Sequence, residues 1–298
     1  LEIINFANGE VFTIGGYLAA TVLIWAAIDA TTPLGVKVGY FFLAVVVSVV
    51  LTSALGWLIE RVAYRPLRGR SRIIPLLSAI GVSIFLQNAI ILLWGTKPII
   101  MPTAVIPSQF LTIFGVRIRV LAIVIIVVSL VLMAGLTYLI RSTRIGKAMR
   151  ATSQDMEAAE MMGIDTNLTI AFTFVVGSAL AAIGGFLVAM YYGSMKFDAG
   201  FLFGLKAFTA AVLGGIGNIP GAVLGSLVLG LAENYGVGLQ LGLLAWFFVA
   251  GLLVGVYFQF VRAPRRRIAH ISEEKRTLRA TMNENATAPT IRWRGSMR

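Results

Sequence analysis

The side chains best placed to do chemistry in this 298-residue chain are amides, hydroxyls and a carboxyl set into apolar sequence. Asn5, Asn8 and Glu10 surround Gly9 in the segment INFANGE, and Ser83, Gln87 and Asn88 interrupt the apolar run Ile73–Trp94. Such groups recognise a polar solute by hydrogen bonding, and inside a membrane each is a candidate functional position because lipid makes it costly. Ser83 and Gln87, four residues apart, share one helical face that should look into a bundle. For Ser83 the expectation is an interhelical hydrogen bond, worth about 0.6–2 kcal/mol. For Gln87 and Asn88, packing and a solute-pathway role stand level. Asn8 either caps a helix or belongs with Gly9 to an unwound break whose free backbone groups suit a zwitterionic solute.

The constellations of known catalysis are absent from the sequence. There is no G-x-x-x-x-G-K-[ST] phosphate loop, no H-E-x-x-H and no G-x-S-x-G. Cysteine is missing, which removes disulfides and thiolate nucleophiles, and the one histidine, His270, lies in a charged tail. A zinc site normally needs about four ligands. Glu157 and Glu160 form an i, i+3 pair of the kind found on a solvated helix face. The chain is not expected to be an enzyme or to bind a cofactor.

The elements that must position these residues are membrane spans. The chain is 58% hydrophobic and 13% charged, far from the roughly 25% charged residues of soluble domains. Candidate spans are Val11–Ile28, Val38–Ile59, Ile73–Trp94, Val120–Ile140, Leu168–Met190 and Leu239–Val261. At about 1.5 Å per residue, such helices can cross a hydrocarbon core of roughly 30 Å. The net charge of +12 is gathered in Arg61–Arg72, Arg141–Arg150 and the stretch beyond Val261. Each cluster flanks a span, as the positive-inside rule expects of cytoplasmic loops, whereas nucleic-acid-reading motifs are missing. With these clusters inside, the connection Gly95–Arg119 lies outside, and the β-prone run Leu111–Ile118 within it predicts a small hairpin.

Phe201–Leu231 is apolar but rich in glycine. Gly214, Gly215, Gly217 and Asn218, followed by Ile219-Pro220, predict two short helices broken at Gly214–Pro220. The expected fold class is therefore all-α: a polytopic transmembrane helical bundle with a broken or re-entrant segment and a short cytoplasmic coupling helix. Residues 1–261 make one transmembrane domain, and 262–298 a polar basic tail expected to be disordered. The chain opens as though a preceding span were missing. Gly177, Ala181, Gly185 and Ala189 form a small-xxx-small stripe for close helix approach, and Trp25, Trp57, Trp94 and Trp246 suit interfacial anchoring.

The polar insert Arg141–Gly163 spells Glu157, Ala158, Ala159 and Gly163 as E-A-A-x-x-x-G. A helix from about Ser153 to Met162 is predicted, with Asp155 and Glu157 favouring its start and Gly163 its left-handed end. Ala158 and Ala159 give it a slim surface for entering a cleft, and its methionines make adaptable contacts. An amphipathic helix lying on the membrane surface satisfies the same periodicity.

Five segments, INFANGEVFTIGGYLA, RPLRGRSRIIPLLSAIGVSIFLQN, WGTKP, RIGKAMRATSQDMEAAEMMGID and GLKAFTAAVLGGIGNIPGAVLGSLVLGLAENYG, resemble in content and order the branched-chain amino acid ABC importer permeases, specifically the first of their two permease subunits. The resemblance runs from Leu1 to about Gly238. It departs where the family carries a further span at its start, where the family has histidine and this chain Asn8, and after Gly238, where the family's ending is not recognisable. It implies passage of leucine, isoleucine, valine or related amino acids into the bacterial cytoplasm across the inner membrane. Two ATP-binding subunits, a second homologous permease subunit and an extracytoplasmic solute-binding protein would be its partners, besides membrane lipid. Asn5, Asn8, Glu10, Ser83, Gln87, Asn88 and the Gly214–Asn218 break would shape the substrate path, and Glu157, Ala158, Ala159 and Gly163 would couple it to ATP hydrolysis. A urea or short-chain amide permease of the same group is the near alternative; an ion-coupled secondary transporter built from broken helices is the distant one.

Overall fold

The computed structural model describes residues 7–28, 31–67, 73–102, 110–113 and 116–238. Asn5, Trp246, the apolar stretch Leu239–Val261 and the tail Arg262–Arg298 lie outside them. Three helices come first, α1 (Ala7–Trp25), α2 (Leu34–Ile59) and α3 (Ile73–Trp94). Short strands β1 (Ile99–Ile100), β2 (Phe110–Ile113) and β3 (Val116–Arg119) precede α4 (Val120–Ser142), α5 (Arg144–Gln154), α6 (Met156–Met161) and α7 (Thr166–Tyr192). After β4 (Ser194–Met195) come α8 (Ala199–Gly214) and α9 (Ile219–Gly238).

Among the described residues, five helical stretches are long and apolar enough to span a bilayer: α1, α2 with its continuation to Leu67, α3 from Leu77, α4 and α7. Helices α8 and α9 meet at 117° across a short break, where the sequence predicts one. Gly215 and Gly217 have φ of +89°, a left-handed geometry costly to residues with a Cβ. The backbones of Gly214 and Gly221 touch at the apex, leaving no room for a side chain. The chain falls into two compact units, Leu1–Leu229 and Gly230–Arg298. In the second, the described residues continue α9, where Asn234 Nδ2 donates to the Gly230 carbonyl at 2.9 Å.

In the first unit α1 is the most enclosed span, packed against α2, α3, α7 and α8. Its fit to α7 rests on small residues: a Cβ on Gly15 would overlap Ala182, one on Gly16 would press on the Gly185 carbonyl, and one on Gly185 would collide with the Phe12 carbonyl. Ser48 of α2 reaches across to donate to the Gly15 carbonyl at 2.7 Å, and Ser178 of α7 fills the space opposite Gly56. The seam of α7 is therefore Ser178, Ala182, Gly185 and Ala189, all buried. This corrects the expected stripe at Gly177, since among the described residues nothing lies within 4 Å of where its side chain would begin, whereas Ala181 packs partly buried against the cluster of Val11 and Ile59. The helix turns about 100° per residue, so the stripe shifts to the adjacent face by moving one position.

The far ends of α3 and α7 are joined by an antiparallel pair, Ile99 opposite Met195 and Ile100 opposite Ser194. Tyr17 donates its hydroxyl to the Met195 carbonyl at 3.2 Å, and its ring meets Trp94 edge-on at 5.6 Å. Trp94 donates to Thr21 Oγ1 at 2.8 Å, so this tryptophan locks α3 to α1 besides lying near a span end. Beside this pair β2 and β3 form the expected hairpin, Phe110 opposite Arg119 and Thr112 opposite Arg117. At the other end of the bundle α2 widens into a π-turn over Glu60–Tyr64, where Tyr64 packs on Phe174 at 5.0 Å and Arg61 lies 5.2 Å from the Trp57 ring.

Gly185→Ala should destabilise the protein by about 1–3 kcal/mol, the usual cost of overpacking, while Gly177→Ala should leave stability unchanged. Thermal unfolding of the two detergent-solubilised variants beside wild type measures the difference.

Candidate functional site

Glu10 sits in the first turns of α1 and is 1% exposed. Its Oε1 accepts a hydrogen bond from Ser83 Oγ of α3 at 3.4 Å, and its Oε2 is buried with no hydrogen-bond partner among the described residues. A buried polar atom without a partner costs about 1–3 kcal/mol. Ser83 lies near the middle of the 22-residue α3, so the contact is made deep in the span. One residue earlier, Gly9 lies against the Gly200 carbonyl, with Gly204 Cα 3.3 Å from where its Cβ would be. The first turns of α8 therefore abut α1 at the same depth, where Thr13 also approaches Gly200.

The segment Ala7–Glu10 is regular helix. Asn8 accordingly stands neither in an unwound break nor at a cap: residues 7–10 complete ordinary helical turns before the span that the sequence predicts from Val11. Asn8 is half-buried, as is Gln87. Asn88 is exposed and donates to the Ile84 carbonyl of its own helix at 2.8 Å, turned away from the Ser83–Glu10 contact. Gly214, Gly215, Gly217 and Asn218 form the α8–α9 turn. Since Gly9 meets the opposite end of α8, roughly 15–20 Å of helix separates the turn from Glu10. The polar candidates thus form two groups, one around Glu10 and Ser83 and one at the turn.

The second candidate feature is the elbow between α4 and α7. Thr143 ends α4 and caps α5, its Oγ1 accepting from Gly146 N at 3.0 Å, and Gly146 lies on the Leu139 and Ile140 carbonyls where no larger residue fits. The predicted single helix Ser153–Met162 is in fact divided. Asp155 adopts φ −150°, ψ 113°, and its Oδ1 accepts from Ala158 N at 3.0 Å, so the side chain ends α5 and starts α6. An aspartate competing for backbone donors favours a cap over a helix interior.

Gly163, at φ +80°, closes α6. Its N–H donates to the Glu160 carbonyl at 2.9 Å and that of Ile164 to the Ala159 carbonyl at 3.0 Å, the Schellman pattern expected of a glycine there. Asp165 then caps α7 through Leu168 N at 3.0 Å, and Thr166 Oγ1 donates to Glu160 Oε1 at 2.6 Å. Ala159 is turned inward, 4% exposed, so only Ala158 contributes to a slim outer surface. Around it Glu157, Met161 and Met162 are exposed, the methionines by 82% and 83%.

A family model described as the permease component of branched-chain amino acid transport systems matches residues 1–261. That match continues through Leu239–Val261, beyond Gly238 where the motifs stop. The chain is 48% identical over 243 residues to the high-affinity branched-chain amino acid transport system permease protein BraD of Pseudomonas aeruginosa, covering 79% of this chain and 77% of that protein. It is 44% identical over 239 residues to the corresponding permease protein LivH of Escherichia coli K12, covering 78% and 76%. No solved structure matches.

Removing the hydroxyl in Ser83→Ala strips the buried carboxyl of the one donor it has among the described residues and should cost about 1–3 kcal/mol. Asn88→Leu should change stability little. A double-mutant cycle of Ser83→Ala with Glu10→Gln, read by thermal unfolding, should show coupling between the two sites.

Proposed function

Because the chain belongs to the family of branched-chain amino acid transport permeases, we propose that it is the first of two permease subunits of a bacterial inner-membrane ABC importer for leucine, isoleucine, valine or related amino acids. Two ATP-binding subunits drive it, a second homologous permease subunit completes the pathway, and an extracytoplasmic solute-binding protein delivers the cargo. The observation that carries the mechanism is the elbow. A six-residue helix, fixed at both ends by its caps, presents Glu157, Met161 and Met162 outward while Glu160 grips the first residue of α7. A partner that moves when it closes on ATP can push on α6 and shift a span directly. Glu157, Ala158, Ala159 and Gly163 form this coupling element, with Ala159 as its inner support.

The substrate path in this reading is shaped by Asn5, Asn8, Glu10, Ser83, Gln87 and Asn88, and by the turn of Gly214, Gly215, Gly217 and Asn218. The turn gives the path a bend made of exposed backbone, and Glu10 gives it an acid whose second oxygen awaits a donor. Access to Glu10 requires α1 and α3 to part at Ser83, which is the kind of opening that alternating access supplies.

Uptake of labelled leucine into cells carrying the complete transporter should stop when ATP is depleted and continue when ion gradients are collapsed. The opposite pattern indicates an ion-coupled carrier, and uptake of urea alone a urea permease. Gly163→Pro and Glu157→Lys should each lower uptake at least tenfold without reducing the amount of protein in the membrane. Undiminished uptake in both variants removes the elbow from the mechanism.

A further inference from the structure

The end of the bundle opposite the elbow carries charge of the wrong sign for its side of the membrane. Basic residues gather on the cytoplasmic side because they oppose translocation, yet Lys97, Arg117, Arg119 and Lys196 are exposed at the end that holds β1–β4 and the β2–β3 hairpin, with the acid Asp198 exposed beside Lys196. The hairpin is built to hold two of them together. Arg117 and Arg119 alternate along β3 and so share a face with their partners Thr112 and Phe110. Phe110, Arg117 and Arg119 of that face line a cavity of about 610 Å³ together with Tyr191 and Tyr192, and Ile118 of the opposite face borders it too. Tyr192 also borders a neighbouring cavity of about 550 Å³ with Lys97, Ile100 and Ser194. Among the described residues no acidic side chain lines either one.

We propose that this groove is the docking surface for an acidic face of the extracytoplasmic solute-binding protein, with Arg117 and Arg119 as its main electrostatic contacts and Lys97 and Lys196 at its rim. The proposal rests on the importer reading. Tyrosine and arginine are residues that interfaces favour, and arginine's planar fork matches a carboxylate in two hydrogen bonds. A folded partner suits the site better than lipid headgroups do: the positive groups come from three separate segments around two adjoining concavities. The apposed β1–β4 strands hold the floor in place, since Tyr17 bonds to it from α1. Charges at such a rim act on encounter rate and salt dependence more than on the chemistry that follows.

The test uses the complete transporter in nanodiscs of neutral lipid, with ATP hydrolysis measured against the concentration of its leucine-loaded solute-binding protein. In Arg117→Glu/Arg119→Glu the half-saturating concentration should rise about tenfold, with the maximal rate kept, which also shows that the variant is folded. Raising salt from about 0.05 to 0.3 M should weaken wild type and leave the variant nearly unaffected, as screening predicts. Lys97→Glu and Lys196→Glu should give smaller shifts in the same direction. An unchanged half-saturating concentration in the double variant overturns the proposal and leaves the importer reading intact. The same holds if the double substitution abolishes a response to added anionic lipid without touching that concentration, for the groove is then a headgroup site. A wild-type transporter that ignores the solute-binding protein altogether overturns both readings.

Discussion

Helices in lipid gain little by hiding apolar surface from their surroundings, because the acyl chains are as apolar as the side chains. What holds them is close fit between backbones and the few hydrogen bonds that cross the gap. In this protein the fit is concentrated where α1 meets α7, with Gly15 against Ala182 and Gly185 against the Phe12 carbonyl. The other contacts are arranged around that seam: Ser48 bonds to Gly15 from α2, Ser83 to Glu10 from α3, Trp94 to Thr21, and Gly200 of α8 lies on Gly9. By contrast α4 has almost no buried residues. A bundle organised this way has one rigid spine and helices of decreasing attachment around it.

The spine also links the two polar features. Helix α7 begins at the Asp165 cap, one side-chain bond away from α6, and runs along α1 to the strand that pairs with β1. Glu10 sits on the other side of the same spine. In the importer reading, a displacement at the elbow reaches the buried carboxyl through a pair of helices packed backbone to backbone, with little compressible side-chain material between them.

Much of this was legible in sequence because the strongest signals are long. Apolar runs set the spans, and Ile73–Trp94 agrees with α3 at both ends. Glycine and proline at 214–220 marked the bent pair, and Leu111–Ile118 marked the hairpin. The failures share a cause: they depend on what lies opposite a residue. Two-residue strands such as β1 and β4 have no local pattern. The seam of α7 could not be told from its neighbour because both faces are rich in small residues, and only Gly56, Gly15 and Phe12 decide between them. Asp155 reads equally well inside a helix's first turn or as a cap, and the side-chain bond to Ala158 decides for the cap. Ser83 and Glu10 were each noticed for being polar in apolar sequence, but nothing local to either one pairs them.

The β1–β4 pair also bears on how the molecule is made. Ile99 leaves the ribosome soon after α3, whereas its partner Met195 follows only once α4, α5, α6 and α7 have been synthesised. During that interval Tyr17 lacks the Met195 carbonyl it will bond to, and α1 lacks both α7 and α8. The most enclosed of the described spans is thus made before the helices that cover it. Its glycine face must wait in lipid, or in the insertion machinery, until the second half of the chain arrives.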